Sequence, residues 1–271
     1  MLIRNIVILV FFYSMNIFAQ SSFTIKPSFF YTKGNYSNSD HSNSFAGYLS
    51  GTWNNVDHVI LAFDDLTISG NGWDYSQNNY VAGIIYNIGS YYLKLNYLKI
   101  IGNYSEGTST FNYTDNSNVA NLDVVKGNYP FYYGLGYSYC NQSGIPNINS
   151  HQANLRFEYI PHYKVLIGLM GAATITSDKR KLFALAGKIN YQPFYDLLLK
   201  TNFMFGERAL FMDPDLLIIF NQTLSQNLLL GIQLEYAFSR NAKLVGSFQH
   251  TEFESYQINY LIGGLKLNFD L

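Results

Sequence analysis

The stretch LLLGIQLEYAF, Leu228 to Phe238, decides how this chain is read. Its even positions are Leu228, Leu230, Ile232, Leu234, Tyr236 and Phe238, and its odd positions are Leu229, Gly231, Gln233, Glu235 and Ala237. One face is large and apolar, the other small or polar, and a period of two is the mark of a β-strand between unlike environments. Two solvents fit the apolar face. If it is the protein's own core, the strand belongs to a soluble sandwich. If it is lipid, the strand belongs to a membrane barrel and its polar side faces a lumen.

The same alternation recurs along the chain. Tyr129, Phe131, Tyr133, Leu135, Tyr137 and Tyr139 alternate with Pro130, Tyr132, Gly134, Gly136, Ser138 and Cys140. Ala153, Leu155, Phe157 and Tyr159 alternate with Gln152, Asn154, Arg156 and Glu158. Read this way, the sequence predicts about fourteen strands, with twelve to sixteen allowed. They fall at 23–33, 43–53, 56–67, 77–88, 91–102, 128–140, 150–160, 164–176, 181–191, 195–206, 214–223, 227–238, 242–252 and 256–270. Turn chemistry separates most of them, as at Asn54-Asn55, Ser177-Asp178-Lys179, Asp213-Pro214-Asp215 and Ser239-Arg240-Asn241. A strand of about eleven residues suits a tilted crossing of a bilayer, which needs ~9–11, whereas soluble strands average ~5–6. Three connections read as long, 34–42, 69–76 and 103–127. All follow odd-numbered strands, the ones that run outward in an outer-membrane barrel, and the last continues its hairpin beyond the membrane.

Composition agrees with lipid. The chain has 24 Tyr and 21 Phe, and only 13% of its residues are charged, about half the ~25% of soluble domains. An aqueous sandwich needs a charged coat, whereas a lipid-facing barrel places aromatic residues at the two interfaces. Net charge is −1, which gives no reason to expect nucleic acid. Cys140 is the sole cysteine, so no intramolecular disulfide can form. Closure of all strand edges is the remaining source of stability.

The N-terminus reads MLIRNIVILVFFYSMNIFAQ, with Arg4 ahead of an apolar run from Ile6 to Tyr13. That is the pattern of a secretory signal peptide over 1–19, leaving a barrel domain over 20–271. The run is shorter than the ~20 apolar residues of a spanning helix.

The C-terminus reads YQINYLIGGLKLNFDL, with Leu265, Leu267, Phe269 and Leu271 on one face. It resembles the last strand of bacterial outer-membrane β-barrels, with the terminal aromatic displaced to Phe269, third from the end. The resemblance is to an architectural class. It implies a closed, all-β, antiparallel up-and-down transmembrane barrel in the outer membrane of a Gram-negative-type bacterium. It implies outer-membrane lipid and lipopolysaccharide as surroundings, and a barrel-insertion machinery that reads the C-terminal strand.

Charges in such a strand belong on the lumen side, because Lys or Arg on the lipid face near the midplane costs ~2–4 kcal/mol. The lumen-facing candidates are Lys26, Lys94, Arg156, Glu158, Lys188, Asp196, Lys200, Glu235 and Lys243. They line a polar path or form ion pairs that fill it. Lumen plugging is expected from Tyr48, Tyr132, Met170, Met204 and Phe30. The five histidines make no metal-binding spacing. His250, Glu252 and Ser255 are the nearest approach to a hydrolase triad, and spacing alone does not make one. No catalytic, cofactor-binding or metal-ligating residue is expected. The inward row Gly134, Gly136, Ser138, Gln152, Asn154, Asn202 and Gln233 is small and polar, as a porin-like channel for passive solute passage requires. The alternative is a non-conducting barrel that serves a surface or secretion complex, with an outer-membrane enzyme as a third class.

Overall fold

The computed structural model describes residues 22–271 apart from 55–56, 108–111, 145–146, 214–217 and 221–223. The expected signal peptide and the Asp213-Pro214-Asp215 turn beyond Asp213 lie outside the described residues. The described strands are β1 (Phe23–Tyr36), β2 (His41–Trp53), β3 (Asp57–Gly70), β4 (Trp73–Ile88), β5 (Tyr91–Glu106) and β6 (Asn112–Asn128). Then come β7 (Phe131–Ser143), β8 (Ile148–His162), β9 (Val165–Thr176), β10 (Lys181–Phe194), β11 (Leu197–Arg208), β12 (Phe211–Asp213) and β13 (Ile218–Phe220). Last are β14 (Gln226–Ser239), β15 (Ala242–Phe253), β16 (Gln257–Leu267) and β17 (Phe269–Asp270).

Fourteen of these, β1 to β11 and β14 to β16, form the wall, each hydrogen-bonded to its chain neighbours. The sheet closes where β16 pairs with β1, from Ser28↔Lys266 to Tyr36↔Ile258. β17 carries the same register on to Ile25↔Phe269 and Thr24↔Asp270. The ladder breaks between β16 and β17 opposite Pro27, which has no N–H to donate. Closure satisfies every wall strand on both edges, which matters because each unpaired backbone group in lipid costs several kcal/mol.

Two expectations about the wall were wrong, and they cancel in the count. The segment 103–127, a long connection by its composition, instead contains β6, a full wall strand, paired with β5 from Tyr91↔Lys126 to Ser105↔Asn112 and with β7 from Asn116↔Ser143 to Asn128↔Phe131. Its Asn, Ser and Asp residues look like loop chemistry, but they alternate in facing. The segment 214–223, expected in the wall, is not part of it among the described residues. Its described part, β13, pairs only with β12, as a hairpin outside the wall sheet. The connections 34–42 and 69–76 are shorter than expected, since β1 to β4 pair almost to their tips.

The outer face answers the question raised by Leu228–Phe238. Leu230, Ile232, Leu234, Tyr236 and Phe238 are all exposed, whereas Leu229 and Glu235 are buried. The exposed side chains sort along the strands. Aliphatic residues such as Leu95, Leu135, Leu155 and Ile232 are exposed within the strands, with partners such as Leu95↔Leu122 and Leu135↔Leu155 in direct register. Toward the end that holds both termini the exposed residues are Tyr86, Tyr91, Tyr133, Tyr191 and Tyr236; toward the other end they include Tyr31, Phe45 and Phe205. An aliphatic belt between two aromatic girdles matches hydrocarbon between two headgroup layers. The connections after even-numbered wall strands are short and share one end with both termini. The connection after β11 is the long one and lies at the other end. These are called the turn end and the loop end below.

Candidate functional site in the lumen

The lumen is shaped by the segment that joins β11 to β14. At Gly206 the backbone takes φ +105°, and a Cβ there would lie 2.4 Å from the Phe183 carbonyl oxygen, so this turn requires glycine. Beyond it the chain leaves the wall and enters the barrel. Arg208 Nε donates to Gln226 Oε1 at 2.5 Å and so ties the two ends of the insert together. Its guanidinium lies 4.6 Å from the centre of the Phe211 ring. Ala209, Leu210, Phe211 and Met212 are each 1% exposed.

This inward segment is fastened to one side of the barrel. Ser150 Oγ donates to the Leu210 carbonyl at 2.9 Å, Gln152 Nε2 donates to the Met212 carbonyl at 3.0 Å, and Met212 N–H donates to Gln152 Oε1 at 3.1 Å. Leu210 and Met212 pack with Leu98, Val119, Cys140 and Ile148. Phe211 packs with Met170 and Ala172. Backbone polar groups of a buried segment must find partners, and the β8 side chains supply them.

The consequence is an uneven lumen. The inward residues Ser138, Gln152, Asn154 and Thr174, on the side where the segment is fastened, are buried. The small polar row expected to line an open path is therefore largely covered. Several inward residues of β1 to β4 are half-buried, among them Ser28, Thr32, Ser44, Tyr48, Asp64 and Asn79, while Ser42, Ala46, Thr52, Ile68 and Gln77 are buried. Asp64 accepts from the Ser44 hydroxyl and, at 2.9 Å, from Asn79 Nδ2. Phe30 and Tyr48 meet edge to face at 5.6 Å. Of the residues expected to plug the lumen, Met170 and Met204 are buried near the segment, while Phe30 and Tyr48 sit on the more open wall.

The expected lumen charges sort into groups. Lys188 Nζ lies 2.8 Å and Arg156 3.8 Å from Glu158 Oε1. Lys188 reaches across β9 because Gly168 leaves room: a Cβ at Gly168 would lie 2.7 Å from Lys188 Cε. Lys200 Nζ and Lys266 Nζ lie 2.6 and 2.7 Å from Glu235 Oε1. Gln233 Nε2 donates to the same oxygen at 2.7 Å. Lys266 was missed by the sequence reading, although its place in the alternation of the last strand was visible. Lys94 stands opposite Asp123 in the β5–β6 ladder. Lys26 is on the inward row of β1, opposite Ser50. Asp196 is not on a wall row; it sits in the β10–β11 turn and lines a cleft at the turn-end rim with Lys243. Arg156, Glu158, Lys188, Asn202, Met204 and Arg208 border a cavity of about 60 Å³ beside the inward segment.

Replacing Glu235 by Gln is expected to destabilise the barrel by about 1–3 kcal/mol, the cost of leaving charged partners without their acceptor. A fully buried pair would cost more, but Lys200 and Lys266 keep about 30% exposure to lumen water. Denaturant titration in lipid vesicles measures the difference, and an unchanged midpoint would contradict it.

Other candidates are placed differently. Both ring nitrogens of His250 are engaged, Nδ1 with Asn259 Oδ1 at 2.8 Å and Nε2 with Glu252 Oε1 at 3.2 Å. The register Leu230↔His250 puts this imidazole on the outward row, away from the lumen. In the loop-end turn after β9, burial opposes ionisation of Asp178. The Thr176 hydroxyl and the Arg180 guanidinium, with Nε at 2.7 Å, outweigh it and hold the carboxyl below the usual range. Among the described residues, no group of three or more His, Cys, Asp or Glu could hold a metal ion.

Fold, outer belt and polar interior define an outer-membrane β-barrel with the architecture of porin-like channels, resident in the bacterial outer membrane. No family model and no curated protein matches the chain. Among solved structures it is similar to OmpT, an outer membrane protein of Vibrio cholerae, in a form lacking loop L8. Identity is 10% over 92% of this chain and 99% of that one, with a TM-score of 0.52. It is also similar to the monoaromatic hydrocarbon channel TodX in a mutant form, at 9% identity over 92% of this chain and 90% of that one, with a TM-score of 0.51. The KdgM porin aligns at 12% identity over 89% of this chain and 99% of that one, with a TM-score of 0.46.

Proposed function

We propose that the protein is a gated channel for small solutes, with the inward segment Arg208–Met212 as its constriction. The observation that carries this reading is the one-sided anchoring of that segment to β8 through Ser150 and Gln152. The wall of β1 to β4, lined by hydroxyls, amides, Tyr48 and Asp64, is left as the passage. Solutes move down their gradient without cofactor or chemistry. The loop end faces the outside, and export uses the signal peptide over 1–19. The lipid-facing belt is surrounded by lipid and lipopolysaccharide, and the C-terminal strand is the part read by the insertion machinery.

One observation favours a second reading, a closed barrel that serves as a structural or binding module. At the loop end, inward residues are buried all the way round, including Ser42, Gln77, Ser150, Gln226 and Thr251. The cover is deep over β6 to β9. On β1 to β3 it is thinner: Ser42 is buried, Ser44 half-buried and Ala46 buried, and Ile68 is buried with Leu66 half-buried. This thinner cover is what favours the channel.

Conductance across planar bilayers tests it. The wild-type protein is expected to give small, discrete current steps. Gln152→Ala removes two hydrogen bonds to Met212, each worth about 1 kcal/mol. Every 1.4 kcal/mol is tenfold, so the open fraction is expected to rise roughly 30-fold. No current from either protein would overturn the channel and leave the closed module.

A further inference from the structure

We propose that the outer face of β8 to β10, at the loop end, binds the phosphate groups of an outer-leaflet glycolipid of the lipid A kind through Lys179 and Lys181. The site lies outside the lumen. It rests on the loop end facing outward and not on conduction.

Basic residues are scarce where the loop end meets water. Between the described strand bounds, Lys and Arg occur in a single loop-end connection, Ser177–Arg180 between β9 and β10. The others hold none, and two of them carry Asp40 and Glu254. One sector of the rim is therefore set apart by charge. Turn geometry does not account for it. Lys179 takes φ +72°, a left-handed position that Gly or Asn fills at lower cost.

Within this sector Asp178 offsets Arg180, whose Nε lies 2.7 Å away. Lys179 and Lys181 are exposed and have no carboxylate partner among the described residues. Lys181 opens the outward row of β10. Its ladder neighbour is Ile175, and one strand further stands His151. Tyr137 Oη lies 2.7 Å from His151 Nδ1. With the phenol donating to Nδ1, Nε2 is left as a further donor on this face.

Height fixes what the sector meets. Down the same outward row of β10 come Phe183, Leu185 and Ile189, and then Tyr191 of the turn-end girdle. Lys181 and Tyr191 are ten positions apart. At ~3.4 Å per residue and a tilt of ~40°, that separation is about 26 Å along the membrane normal. The apolar band of an outer-membrane barrel is about 25 Å tall. Lys181 thus stands where acyl chains end and phosphates begin, with Lys179 just beyond it. Exposed Leu155, Phe183 and Leu185 lie directly beneath, as a surface for acyl chains of the same molecule. A free phosphate would use the lysines alone, whereas a phosphorylated lipid uses both parts of the face.

Native mass spectrometry of the full folded barrel, released from detergent micelles doped with lipid A, tests the site. The wild type is expected to retain lipid A and to retain its dephosphorylated form far less. Each lysine at a charged membrane surface contributes about a fivefold factor, so Lys179→Gln/Lys181→Gln is expected to bind lipid A about 30-fold more weakly. Both side chains are exposed, and unchanged heat-dependent gel mobility reports that the variant is folded. Lys126→Gln/Lys164→Gln, at the turn end, is expected to bind as wild type. Retention unchanged by the first double variant, or equal for the dephosphorylated lipid, overturns the site. Full displacement by inorganic phosphate overturns the lipid as occupant and leaves a free-anion site. Retention of phosphatidylglycerol in place of lipid A overturns it too, and puts the loop end at the inner leaflet. Conduction does not enter these readings, so the channel and this site fail separately.

Discussion

Ile232→Arg is expected to cost about 2–4 kcal/mol of folding free energy in a bilayer, the penalty for a cation on the lipid face near the midplane. Gln233→Arg, one residue on, is expected to cost about 1 kcal/mol or less, as for a tolerated polar exchange. Ile232 is the seventh of the fourteen residues of β14 and 48% exposed. Its neighbours in the ladder are Thr201 and Phe248. Gln233 points the other way, beside Glu235, which can accept from an arginine as it does from the glutamine. The adjacent pair isolates the facing of the strand from its propensity, since both variants place the same side chain in the same strand. Reversible urea unfolding in lipid vesicles reads both. If water bathed the outer face, Ile232→Arg would be neutral and the order of the two variants would vanish.

Phe211→Ala is expected to release the inward segment. The ring is 1% exposed, packed on Met170 and Ala172 under the Arg208 guanidinium. Truncating a buried Phe costs about 3–5 kcal/mol. In a wall strand that loss would unfold the barrel. Here it falls on a segment docked inside a closed wall, so it shifts docking instead. At 1.4 kcal/mol per decade, a 3 kcal/mol loss changes the docked-to-undocked ratio more than about 100-fold. Single-channel recordings should show the large-conductance state dominating, while heat-dependent gel mobility, which reports wall closure, stays that of the wild type. An unchanged conductance would mean that the segment is not what limits passage.

Much of the fold was legible because a closed wall repeats one simple rule. Each wall strand has lipid on one side and lumen on the other, so facing appears directly as period-two alternation, as it does in Leu228–Phe238 and Phe131–Tyr139. The rule failed where that premise failed. Arg208–Met212 is buried on all sides, so it carries a run, ALFM, in place of an alternation. An unbroken apolar stretch is ambiguous between a wall strand and a packed insert. The flanking Gly206, Arg208 and Asp213-Pro214 were the available signals that it leaves the wall. β6 was missed for the opposite reason. Its lumen-facing and loop-end residues are so rich in Asn, Ser and Asp that composition masked the pattern.

The facing of the charged residues was also set by the alternation, but not their company. That Glu158 takes Lys188 from two strands away depends on Gly168 lying between them. That Glu235 takes lysines from both β11 and β16 depends on the register of three ladders. Such partners are far apart in sequence and are chosen only when the wall closes. The sequence by itself determined lipid outside and polar residues inside, because the bilayer imposes that sorting on every strand separately. Only the tertiary structure decided which side of the lumen is filled, because that follows from one inward segment choosing the β8 side chains as hydrogen-bond partners.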